Sequence, residues 1–260
     1  MPRTTGTKIN QLLQRWPRGT VATQAWLTMQ GVSSDLARWY VGAGWLVRAG
    51  PRAFLQAGDE VDWRGGLYAL QSQLRMSAHA GARTALELQG RAHFIPLGSK
   101  RLTILISDSP EDLPTWFEQH LWEARIEHHT FMLFEEIPAG ATAQLDCGGF
   151  RISISSPERA IMEEMRLTRT NGDIDHSIQL MENLGTLRPQ VVQQLLERCT
   201  SVKVKRLFLW SAERVGHAWG DQLDPTRVNL GSGKRQLYKG GCLDPKYLIT
   251  VPQPERLPDV

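Results

Sequence analysis

The 260 residues, read against about 100–200 per domain, make two domains or one large one. With 41% apolar and 22% charged residues the composition is that of an ordinary globular protein, which excludes disordered, collagen-like and disulfide-scaffold classes. The net charge of +3 is unevenly spread: residues 1–75 hold nine Lys and Arg against four Asp and Glu, and residues 76–160 hold seven against eleven. A basic leading segment in which eight of nine cations are arginine points to a polyanion, nucleic acid being the usual one.

Met1-Pro2-Arg3-Thr4-Thr5-Gly6 leads into a mixed polar helix without an apolar signal core. No stretch approaches the about 18–20 apolar residues needed to span a bilayer. The expected location is the cytoplasm, with no membrane partner. Cys147, Cys199 and Cys242 are far apart and without metal spacing, as reduced thiols would be.

Ile9, Leu12, Leu13 and Trp16 give a first helix one apolar face, and Pro17-Arg18-Gly19 ends it. A second helix, Val21 to Gln30, is capped by Thr20 and carries Thr23 and Gln24. Gly31-Val32 turns the chain, and Ser33 or Ser34 caps a third helix through Leu36, Trp39 and Tyr40, broken at Gly44. Trp45-Leu46-Val47 and Ala53-Phe54-Leu55, joined through Gly50-Pro51, read as a hairpin. This is the order of a winged helix-turn-helix. Its DNA-binding residues are Thr23, Gln24, Ser33, Ser34, Asp35 and Arg38, with Arg48 and Arg52 flanking the wing. Asp35 either reads a base donor or pairs with Arg38. The competing reading of this segment is a small helical bundle with solvated arginines.

Gly58 to Gly66 makes a boundary, so the domains are a winged helix-turn-helix over 1–62 and a mixed α/β domain over 63–260, an α+β protein in all. Beyond it come helices over Leu67–Arg75 and Ala82–Gln89, the latter closed by Gly90. Strands are expected at His93-Phe94-Ile95, Leu102–Ile106, Thr130–Phe134 and Phe150–Ile154. Ser155 or Ser156 starts the next helix, Ser155-x-x-Glu158 matching a capping box, and helices follow near 157–168, 174–184, 189–199 and 202–218. The tail, with Val228, Leu230, Leu237 and Tyr247 to Val251, reads as short strands.

No catalytic or metal constellation and no cofactor motif emerges. His128-His129 beside Glu127 lacks a partner motif and reads as a surface patch, as do the Glu135-Glu136 and Glu163-Glu164 pairs. Cys147 carries no signature of an activated thiol. Gly231-Ser232-Gly233-Lys234-Arg235 fails as a P-loop, because Val228 stands where a glycine is needed and Arg235 where Ser or Thr is needed. It remains a basic turn for an acidic partner or a phosphate. Lys203 and Arg206 share a helix face, by default a solvated one, and the functional reading joins them with Lys234 and Arg235 in a second exposed basic surface.

The ordered segments Val32-Ser33-Ser34 through Gly44-Trp45-Leu46, Arg83-Thr84-Ala85-Leu86-Glu87-Leu88-Gln89-Gly90 with His93, and Leu113-Pro114-Thr115-Trp116-Phe117 carry a family likeness. It continues through Ser155 to Glu163, Val202 to Leu209 and Leu230 to Arg235. Over nearly the whole chain they resemble AbiEi-type antitoxins of bacterial type IV toxin–antitoxin systems, regulators of phage-defence operons. Gly81-Ala82 departs from the Gly-Gly that often precedes the Arg-Thr-Ala-Leu segment. The resemblance implies a non-enzymatic repressor that binds inverted repeats of double-stranded DNA in its own promoter. It also implies an antitoxin countering a co-encoded nucleotidyltransferase-like toxin, a functional and not necessarily physical partner. The alternatives are a ligand-sensing transcription factor without a toxin, and a nuclease or nucleotide-handling enzyme tethered to a DNA reader.

Overall fold

The structure, a computed structural model, describes residues 5–92 and 101–253. The chain divides into two compact units. One takes Met1–His79, Pro96–Phe131 and Gln144–Ser153; the other takes Ala80–Ile95, Met132–Ala143 and Ile154–Val260.

In the first unit α1 (Thr5–Arg15) buries Ile9 and Leu12, and the Trp16 indole N–H behind it donates to both oxygens of Thr20 at 3.1 Å. Thr20 therefore caps no helix. The chain first extends as β1 (Ala22–Thr23), pairing with Phe54 and Ala53, and only then forms α2 (Gln24–Met29) with Thr23 as its cap. Pairing with a distant strand overrides the local helical pattern that begins at Val21. A tight turn leads to α3 (Ser34–Gly42), followed by β2 (Leu46–Gly50) and β3 (Ala53–Gln56). The antiparallel sheet has the order β1-β3-β2. Ile9, Leu12, Trp16, Leu27, Tyr40 and Phe54 fill the space between helices and sheet.

The helix expected over Leu67–Arg75 starts earlier, as α4 (Trp63–Tyr68) capped by Asp62, and widens into a π turn at Ala69–Gln73. Gln73 donates to the carbonyl of Val21 at 2.8 Å and accepts the N–H of Thr23 at 2.8 Å, tying this turn to β1. After β4 (His79–Ala80) and α5 (Ala82–Leu88), β5 (Leu102–Ser107) runs parallel to β6 (Arg125–Thr130), with α6 (Thr115–Gln119) between them in sequence. The strand expected over Thr130–Phe134 is thus displaced. Pairing with the buried β5 selects the preceding residues, and Phe131 makes the last bond of the run, N–H to the Ser107 carbonyl at 3.2 Å. β7 (Thr142–Asp146) and β8 (Arg151–Ser155) complete the strands before residue 156. The strand expected at His93-Phe94-Ile95 lies outside the described residues.

The second unit is mainly helical. Around α7 (Pro157–Leu167) pack α5, α8 (Asn171–Glu182), α9 (Pro189–Arg198) and α10 (Val202–Val215). Two short 3-10 turns, Gly220–Gln222 and Pro225–Arg227, precede the antiparallel pair β9 (Cys242–Asp244) and β10 (Ile249–Val251). Val228 and Leu230, expected in strands, lie outside these two.

Because α7 is surrounded, Glu158 through Met165 are all buried, and Glu163-Glu164 are core carboxylates rather than surface ones. Glu163 takes the Arg159 guanidinium at 2.6 Å, the Ser155 hydroxyl at 2.8 Å and the Ala82 N–H at 3.0 Å. Glu164 accepts from the Arg83 N–H at 3.1 Å. The helix cap is Ser156, one residue later than the expected capping box, and Glu158 instead receives Arg188 through side chain and backbone.

Candidate nucleic-acid interface

Ser33 begins α3 by accepting the Leu36 N–H at 3.2 Å, and Val32 just before it is buried. Ala37 and Tyr40 face the core, so the helical period leaves Ser34, Asp35, Arg38, Trp39 and Gly42 outward. Arg38 meets Asp35 at 3.1 Å, with side chains 71% and 89% exposed. A pair this open contributes little to stability. It engages one guanidinium nitrogen and leaves the other donors of Arg38 available. Trp39 beside it is 53% exposed.

The turn before α3 needs Gly31, at φ +78°. The Val32 N–H closes on the Leu27 carbonyl at 2.8 Å, and the Gln24 amide holds the Val32 carbonyl at 3.2 Å. Thr23 caps α2 and gives its hydroxyl to Gln73 at 3.0 Å. Thr23 and Gln24 are 4% and 6% exposed, and the expectation that they touch DNA is corrected: their polar groups are used inside the fold. Two cations that sequence reading missed flank this turn. Arg15 donates to Gln30 at 3.5 Å, and the Lys8 side chain lies within 4 Å of where a Gly31 Cβ would stand. The signal was present in the sequence, since both are on the polar side of α1, but their placement by the turn is tertiary.

In the hairpin Arg48 is exposed with its guanidinium 5.8 Å from the Phe54 ring centre. Arg52 follows Pro51 at φ +60°, and its carbonyl accepts the Gln24 N–H at 2.8 Å, linking the hairpin tip to the start of α2. Its side chain is exposed. The outer strand is braced by α6. His120 Nδ1 lies 3.1 Å from the Ala49 carbonyl, and a Cβ on Gly50 would stand 2.9 Å from the Trp116 Cα. Between Lys8 and Gln56 the sequence has six Lys and Arg and a single acid, Asp35.

The second basic constellation does not form one exposed face. Lys203 turns to the end of α7 and donates to the Thr168 carbonyl at 2.5 Å; burial, helped by Arg166, pushes its pKa down to about 8. Arg206 is 1% exposed, which corrects its assignment to the surface. It donates to the carbonyls of Leu230, Gly231, Gly233 and Leu248 at 2.6–3.3 Å. Lys234 and Arg235 are exposed.

The remaining candidates carry no reaction geometry. His128 shares a hydrogen bond with Ser107 at 2.8 Å, and burial lowers its pKa, while the neighbouring His129 lies 3.8 Å from Glu127. Burial raises the Cys147 thiol and takes Cys199 to about 11, so neither is an activated thiolate. Among the described residues no three His, Cys, Asp or Glu side chains gather as a metal site, and no helix is long and apolar enough to cross a membrane.

Residues 100–252 match the family model described as transcriptional regulator, AbiEi antitoxin, type IV toxin–antitoxin system, and residues 5–97 match that of the AbiEi antitoxin N-terminal domain. The chain belongs to the AbiEi antitoxin family. The α1–β3 segment described above lies within the part that the family separates as its N-terminal domain. The fold is similar to the crystal structure of the RV2827C protein from Mycobacterium tuberculosis, at 12% identity and a TM-score of 0.58, covering 96% of this chain and 92% of that one. No curated protein matches the sequence. Antitoxin and transcriptional regulator are the roles this membership gives.

Proposed function

We propose that residues 5–57 of this AbiEi antitoxin form a winged helix-turn-helix that binds duplex DNA, with α3 in the major groove and the β2–β3 hairpin as the wing. One observation carries the reading: α3 presents Ser34, Asp35, Arg38 and Trp39 to solvent beside a turn flanked by Lys8 and Arg15. Ser33 and Ser34 sit at its N-terminus, where short side chains approach base edges and phosphates. Arg48 and Arg52 meet the adjacent backbone. The protein represses its own operon through inverted repeats and counters a co-encoded nucleotidyltransferase-like toxin without requiring a stable complex. It acts in the cytoplasm as part of a phage-defence operon, and it catalyses no reaction.

A mobility-shift assay on the protein's own promoter tests the DNA reading. Arg38→Ala is expected to weaken binding by about 1–3 kcal/mol if the guanidinium grips a guanine edge. Arg52→Ala is expected to weaken binding to all sequences alike, and both effects shrink as salt rises. Equal, salt-insensitive binding by wild type and both variants would remove the assignment. Co-expression with the adjacent gene tests the antitoxin part: growth arrest relieved by this chain supports it, and arrest that persists counts against it.

A further inference from the structure

The motif Gly231-Ser232-Gly233-Lys234-Arg235 is left unused by the DNA reading, and the structure gives it an unusual foundation. Arg206 lies beneath it, almost wholly enclosed, and takes the carbonyls of Leu230, Gly231 and Gly233. Every acceptor of this guanidinium is a neutral carbonyl, so its charge meets no carboxylate among the described residues. Lys234 and Arg235 above it likewise have no ion pair there. Two positive charges on the loop and a third beneath it on α10 therefore have no counter-charge among the described residues.

The backbone is turned to match. With its carbonyls directed inward to Arg206, the loop's N–H groups at Ser232, Gly233 and Lys234 find no acceptor among the described residues. Gly231 at φ +62° and Gly233 at φ +76° bracket Ser232, left-handed positions of the kind found in anion-binding nests. Gly231 is favoured on a second ground, because a Cβ there would stand a tight 3.0 Å from Val202 Cγ2. The Asn229 side chain accepts the Gly231 N–H at 2.9 Å and fixes the entry of the loop.

We propose that Gly231–Arg235 is a binding site for the phosphate chain of a small molecule, held by the amides of Ser232–Lys234 and the side chains of Lys234 and Arg235. Several donors within five residues suit a multi-acceptor phosphate better than a two-oxygen carboxylate. Arg206 acts as the positioning residue that keeps the carbonyls turned away. The site lacks the Ser or Thr and the spacing of a P-loop, so it binds phosphate without a built-in place for a hydrolytic metal.

The test is calorimetric titration of the full chain with inorganic pyrophosphate, ATP and acetate, with the Ser232–Lys234 amide resonances followed in parallel. Wild type is expected to bind pyrophosphate and ATP but not acetate, with shifts centred on those amides. Equal affinities assign recognition to the phosphates alone, and tighter ATP adds a nucleoside contact. Lys234→Ala with Arg235→Ala, both exposed and safe for folding, is expected to weaken binding at least tenfold, whereas Arg38→Ala with Arg52→Ala leaves it unchanged. Absence of binding by wild type, or equal binding by the Lys234/Arg235 variant, overturns the proposal. Loss only in the Arg38/Arg52 variant also overturns it, by moving the phosphate to the DNA-reading surface.

Discussion

Gln24 spends its side-chain amide on the Val32 carbonyl and the Thr28 hydroxyl, so the loop between α2 and α3 depends on it. Gln24→Ala is expected to lower stability by about 1–3 kcal/mol, the cost of leaving a buried acceptor unpaired, while the folded fraction keeps its affinity for DNA. Denaturant melts and mobility shifts on the same preparation separate the two effects. Tyr40 is the converse case: its hydroxyl is buried with no partner among the described residues, so Tyr40→Phe is expected to hold or slightly raise stability. Arg52 combines a useful charge with a backbone that disfavours it. Arg52→Gly relieves a left-handed conformation costing about 1–2 kcal/mol, whereas Arg52→Ala keeps the strain. Both are expected to weaken DNA binding alike, with only the glycine variant melting later. Lys203 makes stability respond to alkali. Its folded pKa of about 8 lies below the ordinary lysine value near 10.5, so the unfolded chain binds more protons between the two. The Lys203 contribution is thus expected to rise with pH through that window. Cys199 contributes in the opposite direction, because its raised folded pKa makes the folded state hold the extra proton. Lys203→Met should make the measured slope less positive; an unchanged slope would discard the assignment.

Among the elements, α7 shows how a helix rich in charge becomes the centre of a unit. Removing one partner of the Arg159–Glu163 pair, as in Arg159→Met, is expected to cost about 3–5 kcal/mol. Adding Glu163→Gln should cost less than the two single changes together, and a double-mutant cycle measures the difference. Glu158 sets an acid limit. Burial acts to raise its pKa, but the hydrogen bonds from the Arg188 side chain and backbone prevail and hold it below the ordinary carboxylate range. The stabilisation is complete above the unfolded carboxylate value and is lost as pH falls through the lower folded one. Glu158→Gln should therefore be less stable at neutral pH yet less sensitive to acid, read from denaturant midpoints along a pH series. The helices α7 to α10 were legible in the sequence because caps and apolar spacing agree. Glu163 was not, since two adjacent carboxylates look solvated unless Arg159, four residues before, is placed inside with them. The β6 register was hidden for a related reason: Arg125–Thr130 carries weak strand propensity and extends because β5 offers it a ladder.

Across the whole molecule charge is partitioned, and binding to DNA should inherit that partition. The logarithm of affinity is expected to fall linearly with the logarithm of salt, with a slope reduced by Arg48→Ala or Arg52→Ala but untouched by Lys234→Ala. A slope that responds equally to changes at both places would show that the cations act only through net charge. Much of the α1–β3 order and of the exposed α3 face could be read from periodicity, caps and glycines. What escaped was the fate of individual polar side chains: Thr23, Gln24 and Arg206 each find at least one partner 8 to 50 residues away, and no local pattern announces such bonds. The contact between Gly50 and Trp116 has a practical consequence of the same long-range kind. A chimaera that borrowed only the opening sixty residues would leave the far side of its hairpin bare, with indole and imidazole left behind in the donor. Such a graft would retain α3 yet let the β2–β3 hairpin swing, and transferring the stretch that includes Trp116 and His120 should restore a fixed pitch.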